Sequence, residues 1–130
     1  MTRIVTSQPA KIGIVDDDLS VRRSVGRLLR SCGYTCKSYE SAELALADPA
    51  LQDMACLILD VQLPAVNGFG LRDQLQARGI RMPHMFITAH ADPDSLEWTS
   101  QIGDSPFLRK PFESSQLIGL LELLLEGKAH

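Results

Sequence analysis

No stretch of this chain holds the roughly 18 consecutive apolar residues that a membrane-spanning helix needs. The first residues, Met1 to Lys11, lack the apolar core of a secretory signal. Both absences point to a cytoplasmic protein with no membrane partner. A basic excess is also missing. The formal net charge is −3 and no basic stripe stands out, which speaks against direct contact with nucleic acid. Cysteine is scarce, with Cys32, Cys36 and Cys56 only. The count is odd and shows no zinc-type pairing, which leaves redox or metal roles as the lesser alternative. The three are read as buried or half-buried thiols of a reducing compartment. Repeats, low-complexity tracts and an internal linker are absent as well.

What is present is one domain's worth of globular sequence: 130 residues, 45% hydrophobic and 22% charged. Short apolar runs alternate with amphipathic stretches. Residues 11–16 (KIGIVD) read as a buried strand ending in acid. A helix is predicted over 19–32, with Val21, Val25, Leu28, Leu29 and Cys32 on one stripe and Arg22, Arg23, Arg27 and Arg30 mostly outside it. Asp18 or Ser20 suits its start and Gly33 its end. A half-polar strand over 34–39 follows, then a short helix that Ser41 can cap and that must stop before Pro49. The most apolar strand, 54–60 (MACLILD), again ends in acid. A helix over 68–78, a strand over 83–88, a weak helix over 92–102, a short strand over 106–108 and a leucine-rich helix over 113–126 complete the pattern. Five strand–helix units with short connections imply a parallel sheet with helices on both faces.

In an open parallel α/β sheet, ligands sit beyond the carboxyl ends of the strands. The first strand ends in Asp16 and Asp17, the third in Asp60, and the fourth in Thr88 followed by Ala89. Lys110-Pro111 follows the fifth. One sheet edge therefore collects three carboxylates, a hydroxyl and an ammonium. Carboxylates this close repel one another unless a cation joins them, and oxygen-only ligands suit Mg²⁺ or Mn²⁺. Such a site can neutralise a phosphoryl group, and a carboxylate can serve as its nucleophilic acceptor. Taken singly, each residue has a plainer reading: an Asp at a strand end is usually a cap or turn residue, and Lys-Pro is a common loop dipeptide. Their convergence sets the group apart.

The ordered set IVDD (14–17), LILD…LP…NG (57–68), ITA (87–89) and KPF (110–112) resembles the receiver domains of bacterial two-component response regulators. The flanking SYESAE (38–43) and FLRKPF (107–112) are most similar to the FixJ/NarL, or LuxR-type, class. The resemblance covers residues 10–126 and implies a flavodoxin-like three-layer sandwich, a doubly wound five-stranded sheet in the order 2-1-3-4-5. It implies that Asp60 is the phosphoacceptor, with Thr88 and Lys110 as its catalytic partners. Asp16, Asp17, Asp60 and the backbone carbonyl of Gln62 would bind Mg²⁺. Thr88 and Phe107 would form the switch, and Gln62 and His90 would modulate the site mouth. A sensor histidine kinase is the implied partner. Activity would be limited to the domain's own phosphorylation and dephosphorylation, with transcription as the output.

The turn after Asp60 reads LPAVNG where the family often has MPGMDG. His84 stands where a buried apolar residue is usual and is read as a strand-end residue facing the surface. Residues 1–9 are expected to be a tail, 10–127 the receiver domain, and 128–130 a tail or the start of a linker to an output domain. Arg22 and Arg23 are candidates for docking a kinase, or form a plain solvated face. In the last helix, Leu117, Ile118, Leu120, Leu121, Leu124 and Leu125 form one broad stripe. Leu123 falls outside it, a candidate contact for a phosphorylation-dependent homodimer on the surface of the fourth helix, fifth strand and fifth helix. Two rivals exist. A haloacid-dehalogenase-type phosphatase needs an Asp where Gln62 stands. A degenerate receiver acting only as an interaction module would have lost acceptor, metal acids or lysine, and none is lost here.

Overall fold

The structure, a computed structural model, describes residues 9–89 and 100–128. Its elements run β1 (Lys11–Val15), α1 (Leu19–Ser31), β2 (Thr35–Tyr39), α2 (Ala42–Ala47), a 3₁₀ turn (Pro49–Asp53), β3 (Cys56–Asp60), α3 (Gly68–Ala77), β4 (His84–Thr88), β5 (Phe107–Arg109) and α4 (Ser114–Lys128). All five strands are parallel, in the order β2-β1-β3-β4-β5. The expected sheet order therefore holds. Most of the helix expected over 92–102, with Trp98, lies outside the described residues, as does His90; the leucine-rich helix accordingly carries the label α4.

Helix ends follow local chemistry. Asp18 caps α1 by accepting from the Ser20 amide at 2.8 Å, and Gly33 follows the helix with φ of 90°. Ser41 accepts from the Leu44 amide and Asn67 from the Gly70 amide, opening α2 and α3. The 3₁₀ turn adds to the expected pattern: Pro49 stops α2 and, with Asp48 capping the Ala50 amide, also starts a new turn.

Strand alternation sorts the core into two layers. Val15, Leu57, Leu59 and Phe86 pack with Leu71 and Leu75 on the α2–α3 side. Ile12, Ile14, Ile58, Met85 and Ile87 pack with Val25 and Leu29 of α1 and Leu117 and Leu121 of α4 on the other. Every residue of β3 is buried, because both layers close over it. Full burial of a leucine such as Leu117 contributes about 1.5–3 kcal/mol. The leucine stripe of α4 behaves as expected, with Ile118, Leu120, Leu124 and Leu125 half-buried against that layer and Leu123 exposed at 66%. Cys32 corrects the sequence reading. It is exposed, because α1 ends at Ser31 and Cys32 sits in the cap that turns the chain toward β2. Cys56 is buried and Cys36 half-buried, as expected. Among the described residues, no helix is long and apolar enough to cross a membrane.

Candidate functional site

Register alone brings the singled-out residues together. Val15 pairs with Leu59, so Asp16 and Asp60 leave their strands side by side. Asp60 pairs with Ile87, which puts Thr88 one step beyond, and Thr88 pairs with Arg109, one residue before Lys110. Carboxylate oxygens of Asp16, Asp17 and Asp60 all lie within 4.8 Å of one another. Asp16, Asp60 and Thr88 are buried, whereas Asp17 is exposed.

The turns are built to hold these acids. Asp16 accepts from the Asp18 amide at 2.9 Å, and Arg22 donates to the Asp16 carbonyl at 2.7 Å. Arg22 is thereby half-buried and tied to the site, while Arg23 is exposed. On the β3 side, the Gln62 amide donates to Asp60 Oδ1 at 3.0 Å. Gly68, the first residue of α3, packs directly on this strand end: a Cβ there would sit 2.5 Å from the Asp60 carbonyl oxygen. Only glycine lets α3 start so close to the Asp60 main chain.

Lys110 is the ammonium of the site. Its Nζ lies 2.9 Å from Asp16 Oδ2 and 3.5 Å from Asp60 Oδ2, and the Lys110–Pro111 peptide is cis. Burial and the neighbouring Asp16 charge push the Asp60 carboxyl up to about 6, against the opposing pull of Lys110 and the Gln62 amide. Burial alone would depress Lys110, but the Asp16 hydrogen bond and the two carboxylate charges outweigh it and raise its pKa. With all groups ionised, three carboxylates face one ammonium, and two negative charges stay unbalanced. An all-oxygen donor set with that deficit fits a hard divalent cation such as Mg²⁺.

The hydroxyl is held by a neighbour. Gln62 Nε2 donates to Thr88 Oγ1 at 2.8 Å, Thr88 Oγ1 lies 3.1 Å from Gln62 Oε1, and the Ala89 amide donates to the same Oε1 at 3.1 Å. Phe107 stands opposite Phe86 in the sheet and is 38% exposed. Neither the Arg22 tie nor the place of the Gln62 side chain is legible in the sequence, since both depend on where separate turns meet in space. His84 corrects its sequence reading: it is half-buried, Nε2 3.0 Å from Ser105 Oγ, with its ring edge-on to Phe86.

Residues 12–122 match the family model described as the response regulator receiver domain. The chain is 32% identical over 124 residues to the response regulator protein TodT of Pseudomonas putida, covering 95% of this chain and 55% of that protein. It is 32% identical over 118 residues to the transcriptional regulatory protein FixJ of Azorhizobium caulinodans, covering 91% and 56%. In fold it is similar to the chemotaxis protein CheY4 of Vibrio cholerae, with a TM-score of 0.78, 25% identity, and 89% and 98% of the two chains covered. The chain thus spans about half the length of the curated relatives it matches.

Proposed function

Because the chain belongs to the response-regulator receiver family, a family of signalling domains, we propose that Asp60 accepts a phosphoryl group from a sensor histidine kinase and that this charge change controls an output. The observation that carries the reading is the meeting of three carboxylates within 4.8 Å, with Lys110 reaching two of them.

Asp16, Asp17, Asp60 and the Gln62 carbonyl are the groups that would hold Mg²⁺, which when bound neutralises charge on the transferring group. Ionised Asp60 attacks phosphorus in line. A P–O bond forms as the P–N bond to the donor imidazole breaks, and the electron pair returns to that nitrogen. Lys110 then pairs with a phosphoryl oxygen, and the Thr88 hydroxyl donates to another. Thr88 moving inward vacates space that the Phe107 ring can enter, which alters the surface around β5 and α4. His90, two residues beyond Thr88, and Gln62 sit in the chain where they can tune access of water to the acyl phosphate. In the intact protein this surface would serve transcription control, the role named for FixJ. The domain would meet a kinase and a second copy of itself, with no nucleic-acid contact of its own.

Incubation with acetyl phosphate and Mg²⁺ tests the reading. The wild type should gain one acid-stable, base-labile phosphoryl group. Asp60→Asn should gain none, and Asp17→Ala should need far more Mg²⁺ than Asp53→Ala. Unchanged labelling of Asp60→Asn, or no labelling of the wild type, leaves only an interaction module.

A further inference from the structure

The hydrogen bonds of Gln62 close on the groups that a phosphoryl oxygen would need. Its amide spans two residues of the neighbouring strand end, Thr88 and Ala89. The Ala89 amide can only donate, so the atom facing it must be Oε1. That fixes the orientation of the Gln62 amide and leaves Nε2 on Thr88 Oγ1. Thr88 is almost fully buried, and the Gln62 backbone amide is itself bonded to Asp60 Oδ1. Two donors beside the acidic cluster, a hydroxyl and a main-chain amide, are thus turned toward one neutral oxygen.

We propose that the Gln62 side chain is a placeholder: its Oε1 occupies the position of a phosphoryl oxygen in the resting domain and must leave when Asp60 is modified. The proposal rests on Asp60 being the acceptor. Its physical basis is an exchange of partners. In the resting state, buried Thr88 and exposed Ala89 both donate to a neutral amide oxygen, which keeps the buried hydroxyl and the main-chain amide paired. A phosphoryl oxygen is charged and accepts the same hydrogen bonds about twice as strongly. It displaces the amide, but the lost Gln62 bonds are subtracted from the gain. Gln62 is therefore a positioning residue that acts through Thr88 and Ala89, and it holds the resting and modified states close in free energy.

The test uses beryllofluoride, a phosphoryl mimic, with Mg²⁺ on the wild type, Gln62→Ala and Gln62→Met. Methionine keeps the side-chain length and removes the hydrogen bonds. Both variants should bind beryllofluoride about five- to tenfold more tightly than wild type, the effect of losing one or two neutral hydrogen bonds from the resting state. Without the mimic, the Ala89 amide should exchange with deuterium about tenfold faster in both, because its acceptor is gone. Unchanged or weaker binding by Gln62→Met, tighter binding by Gln62→Ala alone, or unchanged Ala89 exchange would overturn the placeholder. If the wild type binds no beryllofluoride, the acceptor reading falls and the placeholder with it. Binding by the wild type with no gain in the variants overturns the placeholder alone.

Discussion

Lys110 lies closer to Asp16 than to Asp60, at 2.9 Å against 3.5 Å. The ammonium is thus bonded chiefly to the fully buried acid and leaves the Asp60 carboxylate the more available of the two. Lys110→Met should expose the cost of that arrangement. Buried Asp16 loses its cation, and the domain should lose about 2–4 kcal/mol in EDTA. Mg²⁺ can substitute for the lost charge, so much of the loss should be recovered with the metal, and Mg²⁺ affinity should rise. Urea unfolding with EDTA and with Mg²⁺ checks this; an equal loss in both buffers would mean that only packing was removed.

Ala65 has φ of 60°, the left-handed region that side chains disfavour. It stands where the related turn often carries glycine. Ala65→Gly should therefore stabilise the domain by about 1 kcal/mol in urea unfolding, with Mg²⁺ affinity little changed. A loss of stability would show that the alanine methyl contributes more packing than the strain costs.

His84 is half-buried, and burial followed by the nearby Arg72 charge lowers its pKa below the ordinary 6.5. The unfolded chain takes up a proton before the folded one does. The His84 contribution to stability is therefore full above about pH 6.5 and declines as pH falls below it. Asp60 acts in the opposite sense, since a raised carboxyl pKa favours the folded state on acidification. The difference between wild type and His84→Gln isolates the imidazole. Wild type should lose more stability than the variant between pH 7.5 and 5.5, and parallel curves would refute this.

Leu123 is 66% exposed on the face of α4 away from the core. Burying it against a second copy would contribute roughly 1–2 kcal/mol per side, about 2–4 kcal/mol in a symmetric pair, enough to shift a weak dimer by about thirtyfold or more. Sedimentation should find the unmodified domain largely monomeric and the phosphorylated one more dimeric. Leu123→Glu should reduce that dimer while Asp60 labels normally. No gain in mass on phosphorylation would refute the interface.

Much of this was legible in the sequence, for identifiable reasons. Strands that end in acid, such as 11–16 and 54–60, announce both the sheet and its reactive edge, because position along a parallel strand fixes which rim a residue occupies. Helix starts were readable from Asp18 and Ser41, whose capping is local. What was not legible depends on chains meeting at a distance. The Gln62 amide spans 26 residues to Thr88, the Arg22 guanidinium reaches back to the Asp16 carbonyl, and the Ser105 hydroxyl draws His84 inward. Cys32 misled because helical periodicity says which face a residue shares but not where the core ends.

The complete burial of β3 carries a consequence for the tempo of the domain. Amides from Cys56 to Asp60 are held between two packed layers and can meet solvent only in the rarest openings of the chain, those close to full unfolding. The Asp60 carboxylate, the proposed acceptor, is therefore fixed to one of the least yielding of the described segments. A charge added there cannot be absorbed by movement of its own strand. Under the proposed function, the response would be taken up by groups around it that rest on single turns and short contacts, and those groups would set how quickly a signal is felt and how quickly it fades.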